Sequence, residues 1–342
     1  MRFGLFGSAT ARRSGPDADS RLGYKRFIDY NIEAEALGYH STFLVEHHFT
    51  GTGQVSASLS LLTWLAAKTR TLRLGTAVLV LPWHNPVLLA EQAATIDLLS
   101  GGRLDFGVGK GYRPNEFAGF CIPIEEADAR FNECLDVVVK SWTSKERFSH
   151  HGKYWNFADI IVEPPTAQKP HPPMWMAAGS PPSIGQVAER GYNLLLDQFA
   201  SLEAIGERVA WFKAEVQKRG RVFDPLEVGV ARAFYVAKDE ADKAAALEQR
   251  LAAQRHFAAM SKSADGTQSK ASIMAFSDTR EASEEAALYG TPDEIAVKLE
   301  RLKNLGVEYV LLNGCGLAHE SLRRFARELI PAFADAPMRD VG

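Results

Sequence analysis

Glu46, His47 and His48 set one carboxylate and two imidazoles at the end of the apolar run Phe43-Leu44-Val45. Such a run reads as a buried strand, and polar groups at its end meet whatever binds at the strand's C-terminal rim. A carboxylate–imidazole pair, Glu46 with His47, suits proton transfer or the orientation of a polar ligand. The plain alternative is a satisfied set of rim histidines. Neighbouring side chains on a strand face opposite ways, so His47 and His48 cannot both face one ligand while the strand continues. The sequence has no HExxH pattern in this region, and a metal site is not expected.

Two more apolar runs end in loops with chemical potential. One spans 72–82 and leads into Trp83-His84-Asn85-Pro86; the next ends in Gly107-Val-Gly109-Lys110-Gly111. The latter is GxGxG and not GxGxxG, and no acidic residue stands where a dinucleotide fold needs one. It reads better as backbone that approaches a flat ligand, with Lys110 adding positive charge, or as a tight strand exit. Further on, Ser180 is a candidate N-cap, Pro181 an acceptable first helical residue and Ser183 the third position. This is either a capped helix or a phosphate site, and two prolines remove amide donors that a phosphate would use. Arg130 stands near a helix start, where a cation opposes the helix dipole. It points to an anionic partner or to a surface salt bridge.

Strand and helix patterns alternate to position these groups. Strands are expected at 2–6, 41–45, 72–81, 103–108, 173–178, 192–196, 227–236 and 308–313. Helices are expected at 24–37, 56–69, 86–99, 125–142, 183–190, 201–219, 238–259 and 292–305. Eight strands with intervening helices predict an α/β fold, a (β/α)8 TIM barrel forming one domain over 1–342. The chain exceeds a typical barrel of about 250 residues, and insertions after strands 4 and 7, at about 144–172 and 260–289, would absorb the excess. The second is rich in Ser, Ala, Asp and Lys, which suggests a mobile lid.

Lys plus Arg number 39 and Asp plus Glu 42, for a formal charge of −3; no nucleic-acid partner is expected. Cys121, Cys134 and Cys315 lie far apart without CxxC spacing, so they suit a reducing cytoplasm as small buried hydrophobes. No run of 18 apolar residues occurs, and no membrane span is expected.

Taken together, several blocks resemble the bacterial luciferase-like flavin-dependent monooxygenases, a family with a TIM-barrel fold. They are Leu44-Val-Glu-His-His-Phe-Thr50, Leu74-Gly-Thr-Ala-Val-Leu-Val-Leu-Pro82, Asn85-Pro-Val-Leu-Leu-Ala-Glu91, Leu98 through Gly107, Met174 through Gly191, and Gly290-Thr-Pro-Asp-Glu294. Their order and spacing cover nearly the whole chain. The resemblance implies reduced FMN (FMNH2) from a separate NAD(P)H:flavin reductase, O2, a C4a-peroxyflavin and a small organic substrate, and the largely apolar candidate pocket residues suggest an apolar one. It implies a homodimer or heterodimer, formed through helices after the early strands. By the same resemblance His47 matches the histidine beside the flavin ring. Lys110 and Arg130 fall where luciferase carries phosphate-contacting arginines, and Ser180 and Ser183 match hydroxyl residues near the phosphate. Gly179 stands where luciferase has a glutamate, leaving that contact to backbone. Gly109 replaces luciferase's reactive cysteine, so light emission is not expected. A non-prolyl cis peptide of the family would fall at Ala77–Val78, flat against the isoalloxazine. Phe6, Phe49, Trp83, Tyr112 and the 260–289 segment would supply walls and a cover. Rival readings are a deazaflavin-dependent dehydrogenase, a non-catalytic flavin-binding protein and a metal-dependent barrel hydrolase.

Overall fold

The computed structural model describes residues 1–11, 19–261, 271–314 and 318–333; Cys315 and residues 262–270 of the expected lid lie outside them. The strands are β1 (Arg2–Gly7), β2 (Ser41–Leu44), β3 (Arg73–Thr76), β4 (Leu79–Val80), β5 (Leu104–Gly109), β6 (Phe148–His151), β7 (Asn156–Ile160), β8 (Met174–Ala177), β9 (Asn193–Leu196), β10 (Val228–Val236), β11 (Leu288–Gly290) and β12 (Tyr309–Gly314). Eight of them close a parallel barrel in the order β1-β2-β3-β5-β8-β9-β10-β12, with Arg2 in register with Tyr309 to seal the ring. All eight expected strands are present. The third is broken by a cis Ala77–Val78 peptide into β3 and β4.

One element differs from expectation. β11 pairs with β10 outside the ring, Phe234 opposite Leu288, so part of the second insertion is a strand. The first insertion carries an antiparallel hairpin, β6 with β7. Cys121 is exposed, whereas Cys134 packs in the core.

The helices are α1 (Leu22–Ala36), α2 (Ser58–Lys68), α3 (Pro86–Ser100), α4 (Pro114–Gly119), α5 (Ala127–Thr143), α6 (Pro181–Arg190), α7 (Leu202–Lys218), α8 (Glu240–Met260), α9 (Arg280–Glu285), α10 (Pro292–Asn304), α11 (His319–Glu328) and α12 (Ile330–Phe333). Local chemistry sets their ends. Asn85 accepts from the Val87 and Leu88 amides at 3.0 and 3.2 Å before Pro86 opens α3, and Gly101 closes it at φ +68°. The short α4 and the C-terminal α11 were not anticipated.

The barrel floor is filled, which leaves the C-terminal mouth for binding. Phe43, Trp175, Leu195, Tyr309 and Leu311 form one interior cluster. The Arg73–Asp105 ion pair lies beneath them at 2.8 Å, and Trp175 Nε1 donates to Asp105 at 3.3 Å. Among the described residues no helix is long and apolar enough to cross a membrane.

Candidate active site at the barrel mouth

Beyond β2, Glu46 bonds His48 whereas His47 bonds elsewhere, so the expected Glu46–His47 pair does not form although both line the mouth cavity. Glu46 is 2% exposed. It accepts from His48 Nε2 at 2.8 Å, His84 Nε2 at 2.8 Å, Trp83 Nε1 at 3.1 Å and the Val80 amide at 2.9 Å. Burial opposes its ionisation. The hydrogen bonds from His48 and His84, the His84 charge and the Val80 amide outweigh burial and hold the carboxyl at about 2. Glu46 thus fastens the end of β2 to the loop after β4.

His47 pairs instead with Glu116, on the unanticipated α4. Its Nδ1 lies 2.9 Å from Glu116 Oε1, which also accepts the His48 amide at 3.0 Å. A carboxylate accepts only, so Nδ1 carries the proton and a neutral His47 keeps its lone pair on Nε2. Burial pushes the imidazole below its usual range; the Glu116 hydrogen bond opposes this and the Arg113 charge reinforces it. The ring lines the cavity, so the arrangement can take up a proton there. One sign of α4 was available in the sequence: Pro114 at a first helical position with an acid two residues on.

The cavity has a volume of about 670 Å³, within the roughly 300–1,000 Å³ of small-molecule sites. Phe6, Ala77, Val78 and Tyr112 line it. The glycines of β5 and its exit serve strand packing, and Gly109 and Gly111 also line the cavity. A Cβ at Gly107 would lie 1.7 Å from the Thr76 carbonyl, one at Gly109 2.5 Å from Val78 Cγ2, and one at Gly111 2.7 Å from Val80 Cγ1. They let β5 and its exit pack on the third strand, and the same contact bars a cysteine at 109.

At one end Lys110, Ser180 and Ser183 line the cavity together. Ser183 Oγ accepts the Ser180 amide at 3.1 Å and lies 2.9 Å from Ser180 Oγ, capping α6. Lys110 Nζ holds Asp128 at 2.8 Å. Arg130 is not brought into the lining. Its Nε bonds Glu126 at 2.8 Å, one helical turn back, and its guanidinium lies 4.3 Å from the Tyr154 ring centre. Gly179 also lines the cavity, and a Cβ there would meet Ser272 Oγ at 2.2 Å; no glutamate fits while that segment is in place.

The cover comes from Phe257, Met260, Ala271, Ser272 and Ile273. Trp83 bonds Glu46 instead of lining the cavity, and Phe49 is 58% exposed. Asp197, Gln198 and Asn313, which sequence reasoning missed, complete the rim. Asp197 is fixed by Arg208 at 2.7 Å, and Asn313 Nδ2 donates to Gln198 at 2.9 Å.

A closed parallel barrel with a deep cavity and a buried imidazole–carboxylate pair at its mouth defines a barrel enzyme of the kind that binds at its strand ends. The chain belongs to the luciferase-like monooxygenase family, whose model matches residues 1–309. It is 27% identical to the oxygenase component of a flavin-dependent trigonelline monooxygenase of Acinetobacter baylyi, over 98% of this chain and 96% of that one. It is 28% identical to an FMNH2-dependent dimethylsulfone monooxygenase of Pseudomonas putida, over 89% and 87%. Among solved structures, the monooxygenase RslO1 of Streptomyces bottropensis superposes with a TM-score of 0.85 at 26% identity, covering 98% of this chain and all of that one. F420-dependent enzymes also occur among the matches.

Proposed function

We propose that this protein is the oxygenase component of a two-component system, using reduced FMN and O2 to oxygenate a small organic substrate. One observation carries the reading: His47, bonded to Glu116, lines the same cavity as Ala77 and Val78. The residues present fit a flavin. Ala77 and Val78 would take the ring face, and Lys110 with Ser180 and Ser183 the phosphate, Lys110 exchanging Asp128 for it. When bound, the flavin would supply the redox chemistry that activates O2.

The chain's residues do the rest. His47 accepts or returns a proton at Nε2 near the reacting centre, and Glu116 keeps the tautomer. Glu46 holds the His48 and His84 loops in register and acts on catalysis through that position. Phe257, Met260 and residues 271–273 keep water from the cavity. Arg130 stays outside the phosphate contact. A separate NAD(P)H:flavin reductase supplies the reduced cofactor, in the cytoplasm. A dimer forms through α2 and α3, which expose Trp64, Leu88, Leu98 and Leu99.

The test is anaerobic titration of the protein with reduced FMN and with reduced F420, followed by air and candidate substrates. Tight binding of reduced FMN and an oxygenated product support the reading. Binding of F420 alone, with hydride transfer and no oxygen incorporation, overturns it.

A further inference from the structure

Arg113 is a buried charged side chain that the protein satisfies only in part, through the Tyr112 hydroxyl. It is 2% exposed and lines the cavity. Its Nε and Nη1 have no hydrogen-bond partner. Glu116 Oε1 is 3.9 Å from Nη1, beyond hydrogen-bond reach, and already accepts from His47 and His48. The guanidinium lies against a pair of aromatic rings, 5.7 Å from the centre of Tyr112 and 5.3 Å from that of Phe257, the two rings themselves being 6.3 Å apart. Tyr112 in turn meets His47 edge to face at 6.3 Å. A buried guanidinium with open N–H groups is costly unless an acceptor arrives.

We propose that Arg113 binds the carboxylate of an acidic organic substrate whose apolar body lies against Tyr112 and Phe257, beside His47. This deepens the oxygenase reading of the same cavity and rests on it. The oxyanion could also come from the flavin, through its phosphate or its reduced ring. The geometry favours the substrate. The phosphate candidates are solvent-reaching, with the Lys110 side chain 53% exposed, which suits a strongly hydrated dianion. A buried guanidinium packed against two aromatic rings suits a single charge carried on an apolar group. Arg113 also joins the two sides of the mouth: it follows β5, adjoins the partner of His47 from the β2 exit, and packs on Phe257 of α8.

Calorimetric titration of the purified protein with benzoate and hexanoate, each against its own amide, tests the assignment. At least one acid should bind about tenfold or more tightly than its amide, as expected for a charge-assisted contact. Arg113→Gln should abolish that preference, and Arg113→Lys should keep part of it. Anaerobic affinity of Arg113→Gln for reduced riboflavin and reduced FMN should stay within about threefold of wild type, a difference under 1 kcal/mol. The proposal is overturned if the wild type shows no preference for either acid over its amide, a comparison that needs no variant. It is equally overturned if Arg113→Gln retains the preference, or if it weakens reduced riboflavin or reduced FMN as much as the acids. Should the wild type prefer acids yet fail to bind reduced FMN, the oxygenase reading falls and the carboxylate site stands.

Discussion

His47 Nδ1 lies 2.9 Å from Glu116 Oε1, and that contact decides which proton the imidazole can move. The carboxylate takes the Nδ1 proton as a hydrogen bond, so Nε2 is the basic atom. Replacing His47 by Ala should lower oxygenated product by about 100-fold or more, the usual range for a positioned acid–base group. Reduced-flavin affinity should be nearly unchanged. Full activity in that variant would remove His47 from the chemistry.

Glu116→Gln keeps an oxygen for both donors but removes the charge. Burial and Arg113 push His47 down, and Glu116 opposes them. Without Glu116 the imidazole falls further, so its neutral form survives to lower pH. The acid limb of the pH–rate profile should therefore move to lower pH. A shift to higher pH would contradict the assigned pairing.

Glu46 makes a stability prediction. Its carboxyl is held at about 2, against 4.5 when unfolded. A depressed carboxyl contributes stability fully above 4.5 and loses it as pH falls towards 2. Glu46→Gln should lower the melting temperature at pH 7, because His48, His84 and Trp83 lose a charged acceptor. It should also flatten the decline of stability between pH 4.5 and 2. An equally steep decline in the variant would show that other groups govern acid unfolding.

These three residues also show how much was readable beforehand. The barrel was legible because its strands are continuous apolar runs, and their ends fell where the periodicity placed them. The cis peptide and the capped Ser180 helix followed from motif and resemblance. The pairing of Glu46 was not legible. Alternation implied that it shares a face with His48, but His84 lies 38 positions away and only barrel closure brings it to 2.8 Å. Glu116 was missed because its six-residue helix is too short to show a period. The packing role of the glycines in β5 and its exit was not legible, because Thr76, Val78 and Val80, which a Cβ would meet, come from the neighbouring third strand.

The phosphate end separates two basic residues that the sequence grouped. Lys110→Ala should weaken reduced FMN by about tenfold while leaving reduced riboflavin nearly unchanged, as for loss of one charge-assisted contact. Arg130→Ala should affect both ligands little, since its guanidinium is engaged by Glu126 and Tyr154. A large, FMN-selective loss from Arg130→Ala would return it to the phosphate site.

Trp64 on α2 and Leu99 on α3 are 54% and 64% exposed. Apolar faces of this kind mark association surfaces. Trp64→Glu with Leu99→Glu should convert a dimer to a monomer in sedimentation without lowering the melting temperature by more than a few degrees. An unchanged oligomer would place the interface elsewhere.

The most direct measurement is rapid mixing of the anaerobic protein–reduced FMN complex with oxygenated buffer, followed by absorbance. The account predicts a long-lived species distinct from reduced and oxidised flavin, and its faster collapse in His47→Ala. Immediate reoxidation at the rate of free reduced FMN, in wild type and variant alike, would contradict it.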